Sequence, residues 1–378
     1  MTEDIEKRHV ATSLPVAGGP PPTQWSGPPP RPRRRRWVSI PVAIIIVLVL
    51  VVVIASRVNL NYYAVQPGTA QSVQQFITVP PDRAHHVARP VKLTDVELSR
   101  VSALTYLYFK LDSNTDLQPL ESVTGGTPPS ELDAQGNLEM SQAEAQAKAA
   151  ALRRLGNAVP ATPAGGVVFA VWNGTPAFGV LHVGDVVTAV DGTPTLTADS
   201  FTATLKKYHS GQTVTLSVEK GGSGKPQPIP ITLKASTVDL GQGQVAHVTL
   251  GIVTEDQVDY TFPFPVTINV VNIGGPSAGL AMTLGVIDTL SGGNLTGNHT
   301  VAATGTMDDQ GKVGDVGGVA QKTVAVERAG ATIFLVPPQE YKAALSKKTP
   351  SLQIFKVSTL NQALHVLATH GGHVPAVG

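Results

Sequence analysis

The chain has 378 residues, enough for two or three globular units, and 42% of them are apolar, enough to bury a core through most of its length. Lys plus Arg number 28 against 27 Asp plus Glu, a balance that argues against a nucleic-acid-binding domain, and the one dense basic run, Arg31 to Arg36, abuts an apolar stretch, so no nucleic-acid partner is expected. Without a single cysteine, disulfides, thiolate chemistry and Cys-ligated zinc are excluded; the ten histidines, with His85-His86 standing apart, form no ligand-spaced pair beside an acid, so neither metal nor cofactor is expected.

Residues 1–37 carry Gly18-Gly19-Pro20-Pro21-Pro22 and Pro28-Pro29-Pro30 and few large aliphatics. Such a segment buries too little apolar surface to offset its ordering entropy and is predicted to be disordered. It ends in Arg31, Arg33, Arg34, Arg35, Arg36 and Trp37. From Val38 to Ala55 the only polar residue is Ser39. At about 1.5 Å per residue this run nearly spans a hydrocarbon core, which predicts a transmembrane helix over 38–56 with Trp37 and Arg57 at the interfaces. The arginines place the N-terminus in the cytoplasm and everything after residue 56 outside it. A signal peptide cleaved after Val53-Ile54-Ala55 is the competing reading; the long apolar run favours an uncleaved anchor.

Residues 57–159 read as a mixed α/β segment whose fold stays unassigned. Leu104, Tyr106 and Tyr108 alternate within a β-like run, Val101 to Lys110, and Gly125-Gly126-Thr127-Pro128-Pro129 is turn-rich. The alanines between Ser141 and Leu155 predict a helix ending at Gly156-Asn157.

Residues 160–235 form a separate module. Strands are predicted at 166–172, 184–190, 213–219 and 227–233, with a short helix near 176–179 and a longer one over 197–208. This order, with Val183-Gly184-Asp185-Val186-Val187-Thr188-Ala189-Val190-Asp191-Gly192-Thr193-Pro194, resembles a bacterial PDZ domain. The resemblance implies binding of an extended peptide as an added strand, with its C-terminal carboxylate held by loop amides. Ala161 to Gly165 lacks the family's Gly-hydrophobic-Gly pattern, so the carboxylate loop has no assigned residues. A purely structural module is the alternative.

Past a strand-like run at 266–270 stands Gly274-Gly275-Pro276-Ser277-Ala278-Gly279, then an apolar stretch to Ile287 that predicts a buried helix. Pro276 suits its first position. Ser277 then sits at a helix N-terminus, beside free N–H groups of Ser277, Ala278 and the preceding glycine loop that suit an oxyanion. Such a serine needs a base. Lys322, in Gly317-Gly318-Val319-Ala320-Gln321-Lys322-Thr323, falls in the first turns of a second helix running to Arg328. Burial and the positive helix end both lower its pKa toward neutrality. Thr304, on a strand over 301–306, is placed to orient that amine, and Asp308-Asp309-Gln310-Gly311 forms a hairpin turn in which Lys312 is solvated.

Gly275-Pro276-Ser277-Ala278-Gly279, Thr304-Gly305, Gly317-Gly318 with Lys322, and Ala329-Gly330 before Ile333-Phe334-Leu335-Val336-Pro337 resemble the proteolytic domain of Lon-type serine peptidases, over about residues 245–368. The resemblance implies Ser277 as nucleophile, Lys322 as base and Thr304 as its contact, with Gly275, Pro276 and Ala278 forming the backbone around the oxyanion. Two positions depart from the family: Gly274 stands where many members carry an acid, and Thr306 where they carry another. No Gly-x-x-x-x-Gly-Lys-[Ser/Thr] phosphate loop occurs, and the order anchor, PDZ, Lon-like domain resembles a group of bacterial membrane proteins without the ATPase motor. The fold class expected is α+β, closed by a flexible tail at 369–378. The implied function is a membrane-anchored Ser-Lys endopeptidase acting on extracytoplasmic proteins or peptides. By analogy alone, a homo-hexameric ring is implied. The alternative is a catalytically idle adaptor.

Overall fold

Two six-stranded sheets with helices packed on them carry the architecture, seen in a computed structural model that describes residue 27 and residues 39–124, 131–241, 244–271 and 273–376. The arginine run, Trp37, the Pro- and Gly-rich segment before them (Gly27 apart) and the turn at 125–129 lie outside the described residues. The chain divides into two units, Met1–Val52 and Val53–Gly378.

Helix α1, Ser39–Arg57, has 19 residues. It is long and apolar enough to cross a membrane, and none of its Ile40–Arg57 window is buried within the chain. Its aliphatic side chains therefore find no core here, unlike those of an ordinary buried helix.

In chain order the principal elements that follow are β1 (Asn59–Ser72), β2 (Lys92–Ser102), α2 (Ala103–Leu111), β3 (Asp116–Pro119) and α3 (Leu132–Arg154). Next come β4 (Ala161–Val171), β5 (Val186–Val190), α4 (Ala198–Leu205), β6 (Thr213–Glu219), β7 (Gln227–Thr232) and β8 (Ile252–Tyr260). Helix α5 (Gly279–Leu290), β9 (Val301–Ala303), α6 (Val319–Arg328), β10 (Ile333–Val336), β11 (Gln353–Lys356) and α7 (Leu360–Thr369) complete the set.

Two sheets organise this mixed α+β fold. The first is six-stranded, in the order β11-β10-β9-β2-β1-β3. Its β9, β10 and β11 are parallel neighbours, and β9 also meets β2 in parallel through Ala302 and Lys92. Strands β1, β2 and β3 pair antiparallel. The segment 57–159, whose fold the sequence leaves unassigned apart from its closing helix, thus supplies half of a sheet whose other half follows residue 300. Alternation along β9 and β10 sets the layers. Val301, Ala303, Ile333 and Leu335 face a core with α3, α5 and α7, whereas Ala302, Phe334 and Val336 face a second core with α6. Alanine at 143, 147 and 150 lets α3 lie close against α5, in which every residue from Gly279 to Thr289 is buried.

The second sheet, also six-stranded, follows the order β8-β4-β5-β6-β7, with Thr193–Pro194 pairing on β5. It encloses its own core of Val168, Val187, Leu216, Phe201 and their neighbours. Most of the PDZ-like elements lie where the sequence puts them, with two changes. Residues 176–179 form turns rather than a helix, and β8, outside the expected module, pairs with β4 from Ile252↔Val171 to Tyr260↔Ala161.

Elsewhere the expected strand through Val101–Lys110 ends at Ser102. Ser102 and Thr105 form a reciprocal capping box, and the chain turns into α2. The alternation of Leu104, Tyr106 and Tyr108 misled because Leu107 and Leu111 complete a helical spacing instead. Strand-like 266–270 reduces to Thr267–Ile268, and α3 starts nine residues before Ser141, through Gly136 and Asn137, which are poor helix formers. Residues 370–376 run back over the core: the His373 N–H donates to the Asn294 carbonyl at 2.9 Å and Arg154 donates to the Pro375 carbonyl at 3.0 Å.

Candidate active site

Ser277 lies in a 3₁₀ turn, Pro276–Ala278, that runs directly into α5. Pro276 pre-sets the backbone for this turn but has no N–H, so it offers only a carbonyl, which accepts from the Gly279 N–H. The Gly275 N–H is already engaged, donating to the Gly136 carbonyl at 3.0 Å. Of the sequence-expected donors around the serine, the amides of Ser277 and Ala278 lie at the opening of the helix, where no earlier turn supplies an acceptor.

Thr304 follows the last residue of β9, at the carboxyl end of a parallel strand, the usual place for a site in such sheets. Its N–H donates to the Leu335 carbonyl at 3.0 Å, which fixes the backbone. Its hydroxyl then connects two helices on opposite faces of the sheet. It donates to the Ser277 carbonyl at 3.3 Å and accepts from Lys322 Nζ at 3.3 Å. The Gly305 N–H holds the same Ser277 carbonyl at 3.0 Å.

Lys322 is in the first turns of α6, its N–H bonded to the Gly318 carbonyl at 2.9 Å. Gly318, the residue before the helix, has φ 67°, a left-handed conformation that a side chain would strain, and a Cβ there would meet Val96 Cγ1 at 2.7 Å. The lysine side chain is 2% exposed. Burial holds its pKa down to about 8, against the opposing pull of Asp95 and Glu340. Ser277 and Lys322 line one cleft of about 750 Å³. No hydrogen bond joins Ser277 Oγ to Lys322 Nζ directly; Thr304 is the bridge between the two residues.

Helix α3 contributes a wall that sequence reasoning missed. Asp133, Gln135, Gly136 and Glu139 line the cleft together with Asp95 from β2. Burial, then the nearby Glu255, raises the Glu139 pKa. The close approach explains one departure from the Lon pattern. A Cβ on Gly274 would stand 3.3 Å from Gly136 Cα and 3.4 Å from its carbonyl carbon, so a larger side chain there requires the α3 backbone to give by a few tenths of an ångström. No signal near Ser277 announces these residues; only the irregular start of α3, with its glycine, hints at a backbone approach.

The PDZ-like sheet also gains a feature from beyond its expected bounds. Strand β8 is an edge strand, and Thr249-Leu250-Gly251 leads into it. The carbonyls of Leu250 and Gly251 accept from Ala177 and Trp172. Leu250-Gly251-Ile252 is a hydrophobic-Gly-hydrophobic signal, but it follows the last strand expected of the module instead of preceding the first.

Comparison with known proteins fits this geometry. Residues 265–369 match the family described as Lon protease (S16) C-terminal proteolytic domain, and residues 140–229 match the PDZ domain family. The chain is similar to Lon protease 2 of Bacillus subtilis (strain 168), 33% identical over 94 residues, 25% of this chain and 16% of that protein. It is similar to Lon protease of Chloroflexus aggregans, 34% identical over 94 residues, 24% of this chain and 11% of that one. The match therefore spans a sixth or less of these relatives' own length. Among solved structures, the PDZ domain of the SdrC-like protein from Listeria monocytogenes is 29% identical, covering 24% of this chain and 86% of that one with a TM-score of 0.19. The chain thus carries a Lon-type C-terminal proteolytic domain together with a PDZ domain.

Proposed function

We propose that the protein is a serine endopeptidase anchored by α1, with its catalytic domain outside the cytoplasm and Ser277 and Lys322 as its dyad. One observation carries the reading: a lysine 2% exposed, with its pKa near 8, hydrogen-bonded through Thr304 to the backbone of a serine at a helix entrance. A structural lysine gains nothing from such burial, which costs several kcal/mol, on the order of 3, for the charged form.

As a neutral amine, Lys322 takes the proton of Ser277 while Oγ attacks the peptide carbonyl. The Ser277 and Ala278 amides receive the oxyanion. Collapse breaks the C–N bond, and the ammonium of Lys322 returns its proton to the leaving amine. Water, activated by the same amine, then frees the acyl group from Ser277. Thr304 keeps the amine aimed across the cleft.

On this reading, which takes the domain to work without an ATPase motor of its own, the substrates are flexible tails and unstructured polypeptides. The PDZ domain supports peptide capture: an extended C-terminal segment adds along the free edge of β8, beside α4, with the amides of Leu250 and Gly251 at its carboxylate.

A second reading, a catalytically idle adaptor, is favoured by the occupied Gly275 N–H and the missing direct bond between Ser277 Oγ and Lys322 Nζ. A fluorophosphonate-type probe decides between them. The peptidase labels at Ser277 with a rate that rises toward pH 8, and Ser277→Ala and Lys322→Ala do not label. An unlabelled wild type that cleaves no unstructured peptide leaves the adaptor. Topology is tested by protease added to intact cells, which should digest the region after residue 58; full protection would reverse the orientation.

A further inference from the structure

Helix α2 hides only part of its apolar surface. Phe109 turns inward onto Ala64 and Val101, and Tyr106 packs near it, its ring 5.9 Å from that of Tyr62. Leu104, Leu107, Tyr108 and Leu111, spaced by three, four and seven, share another face and are 43%, 63%, 67% and 77% exposed. Single exposed leucines are ordinary, but four large apolar side chains on one face of a nine-residue helix are not.

Position and charge both identify what this face meets. The N–H of Ala103, the first residue of α2, donates to the Val58 carbonyl at 2.9 Å, and the Val58 N–H donates to the Ile54 carbonyl at 3.2 Å. The start of α2 is therefore tied to the residue at which the chain leaves α1, and Val58 is itself 48% exposed. Arg57 closes α1, Lys110 lies on α2, and Lys347 donates to the Ser113 carbonyl just past its end. Leucine and tyrosine on one short helix, with one cation on it and two from neighbouring segments at its ends, make up the chemistry of a segment that lies in a bilayer interface.

We infer that α2 rests in the headgroup region of the bilayer, with Leu104, Leu107, Tyr108 and Leu111 against the acyl chains. The inference builds on the reading of α1 as a membrane anchor. It adds that the catalytic unit is seated on the membrane surface at a fixed height rather than swinging from a single tether. A second copy of the chain is the other occupant such a face can take, and the test separates the two.

The absence of cysteine makes the test direct. The full chain, reconstituted in nanodiscs containing an anionic lipid, carries one environment-sensitive fluorophore at Leu107→Cys, Leu111→Cys, Val49→Cys in α1 or Lys225→Cys in an exposed loop. Spin-labelled lipids should quench positions 107, 111 and 49 but not 225, and aqueous iodide should quench 225 alone. If iodide quenches 107 and 111 while lipid still quenches 49, the anchor stands and the seated helix falls. If 49 also escapes the lipid quencher, both readings fall together. Shielding of 107 and 111 from iodide without lipid quenching, accompanied by energy transfer between labelled copies, assigns the face to a second copy and overturns the inference.

Discussion

The N–H of Gly275 is bonded to the carbonyl of Gly136 at 3.0 Å, so helix α3 grips the glycine loop that leads into Ser277. The two glycines at this crossing, Gly136 and Gly274, are not equivalent. A Cβ on Gly136 makes ordinary contact with Gly274 Cα at 3.5 Å, whereas one on Gly274 meets Gly136 Cα at 3.3 Å and its carbonyl carbon at 3.4 Å. Gly136→Ala should therefore stabilise the fold by about 0.5–1 kcal/mol through helix propensity, seen as a higher melting temperature, and keep activity. Gly274→Ala should lower peptide hydrolysis with the fold retained, and Gly274→Asp should lower it further. Hydrolysis rates and thermal melts of the three variants check this order; an active Gly274→Asp would deny that the crossing shapes the site.

Lys322 should impose its pKa on the rate. Below pH 8 hydrolysis should fall about tenfold per pH unit as the amine protonates, and above it the rate should level off. Lys322→Arg should be folded and inactive, because a guanidinium keeps its proton across this range. A rate independent of pH between 6 and 8 would exclude this base.

The same group links stability to pH. Its pKa is 10.5 in the unfolded chain and about 8 when folded, so between these values the unfolded chain binds more protons and stability rises with pH. At pH 7 the wild type carries the cost of placing the charge inside. Lys322→Met should remove the rise between pH 8 and 10.5 and should be more stable than wild type at pH 7, as denaturant titrations at several pH values would measure.

Thr304→Val keeps the volume beside Lys322 and removes the hydroxyl that bridges it to the Ser277 carbonyl. The loss of a hydrogen bond worth about 1 kcal/mol predicts a drop in kcat of roughly fivefold with KM little changed. Thr304→Ser should recover most of it. Equal rates for Val and Ser would show that the hydroxyl does not position the amine.

Asp288, on α5, accepts from the Leu295 N–H at 2.8 Å through one oxygen, while its other oxygen is buried without a partner. Burial raises its pKa to about 6. With the folded value above the unfolded one, its contribution is full below about pH 4 and lost as pH climbs through 6. Asp288→Asn should flatten the stability profile between pH 4 and 6, and an unchanged profile in urea titrations would count against this assignment.

The residues brought together at the cleft were legible in sequence because each stands in a short local pattern: Gly-Pro-Ser before an apolar helix, Thr-Gly after a strand, Gly-Gly before an amphipathic helix. Local patterns carry caps, turns and periodicity, and Ser277, Thr304 and Lys322 depend on those. Gly136, Glu139 and Asp95 reach the cleft only through tertiary packing of α3 and β2, which no neighbouring residue announces. The switch from β2 to α2 was obscured for a different reason. Leu104, Tyr106 and Tyr108 satisfy a period of two, and the helical period becomes visible only with Leu107 and Leu111, whose exposed face no sequence rule for a buried strand or core helix anticipates. Strand β8 was hidden by order: it completes the PDZ sheet from the far end of the chain segment.

The parallel meeting of Lys92 with Ala302 has a consequence for how the chain acquires its shape. The first half of the central sheet is synthesised long before its partner strands, and the whole PDZ module emerges in between. That module has local contacts and a core of its own, so it can mature early, while β1 and β2 wait with an unfilled edge. A cleft lined by Asp95 from the first half and by Ser277 and Lys322 from the second therefore stays unassembled until the nascent chain has passed residue 322.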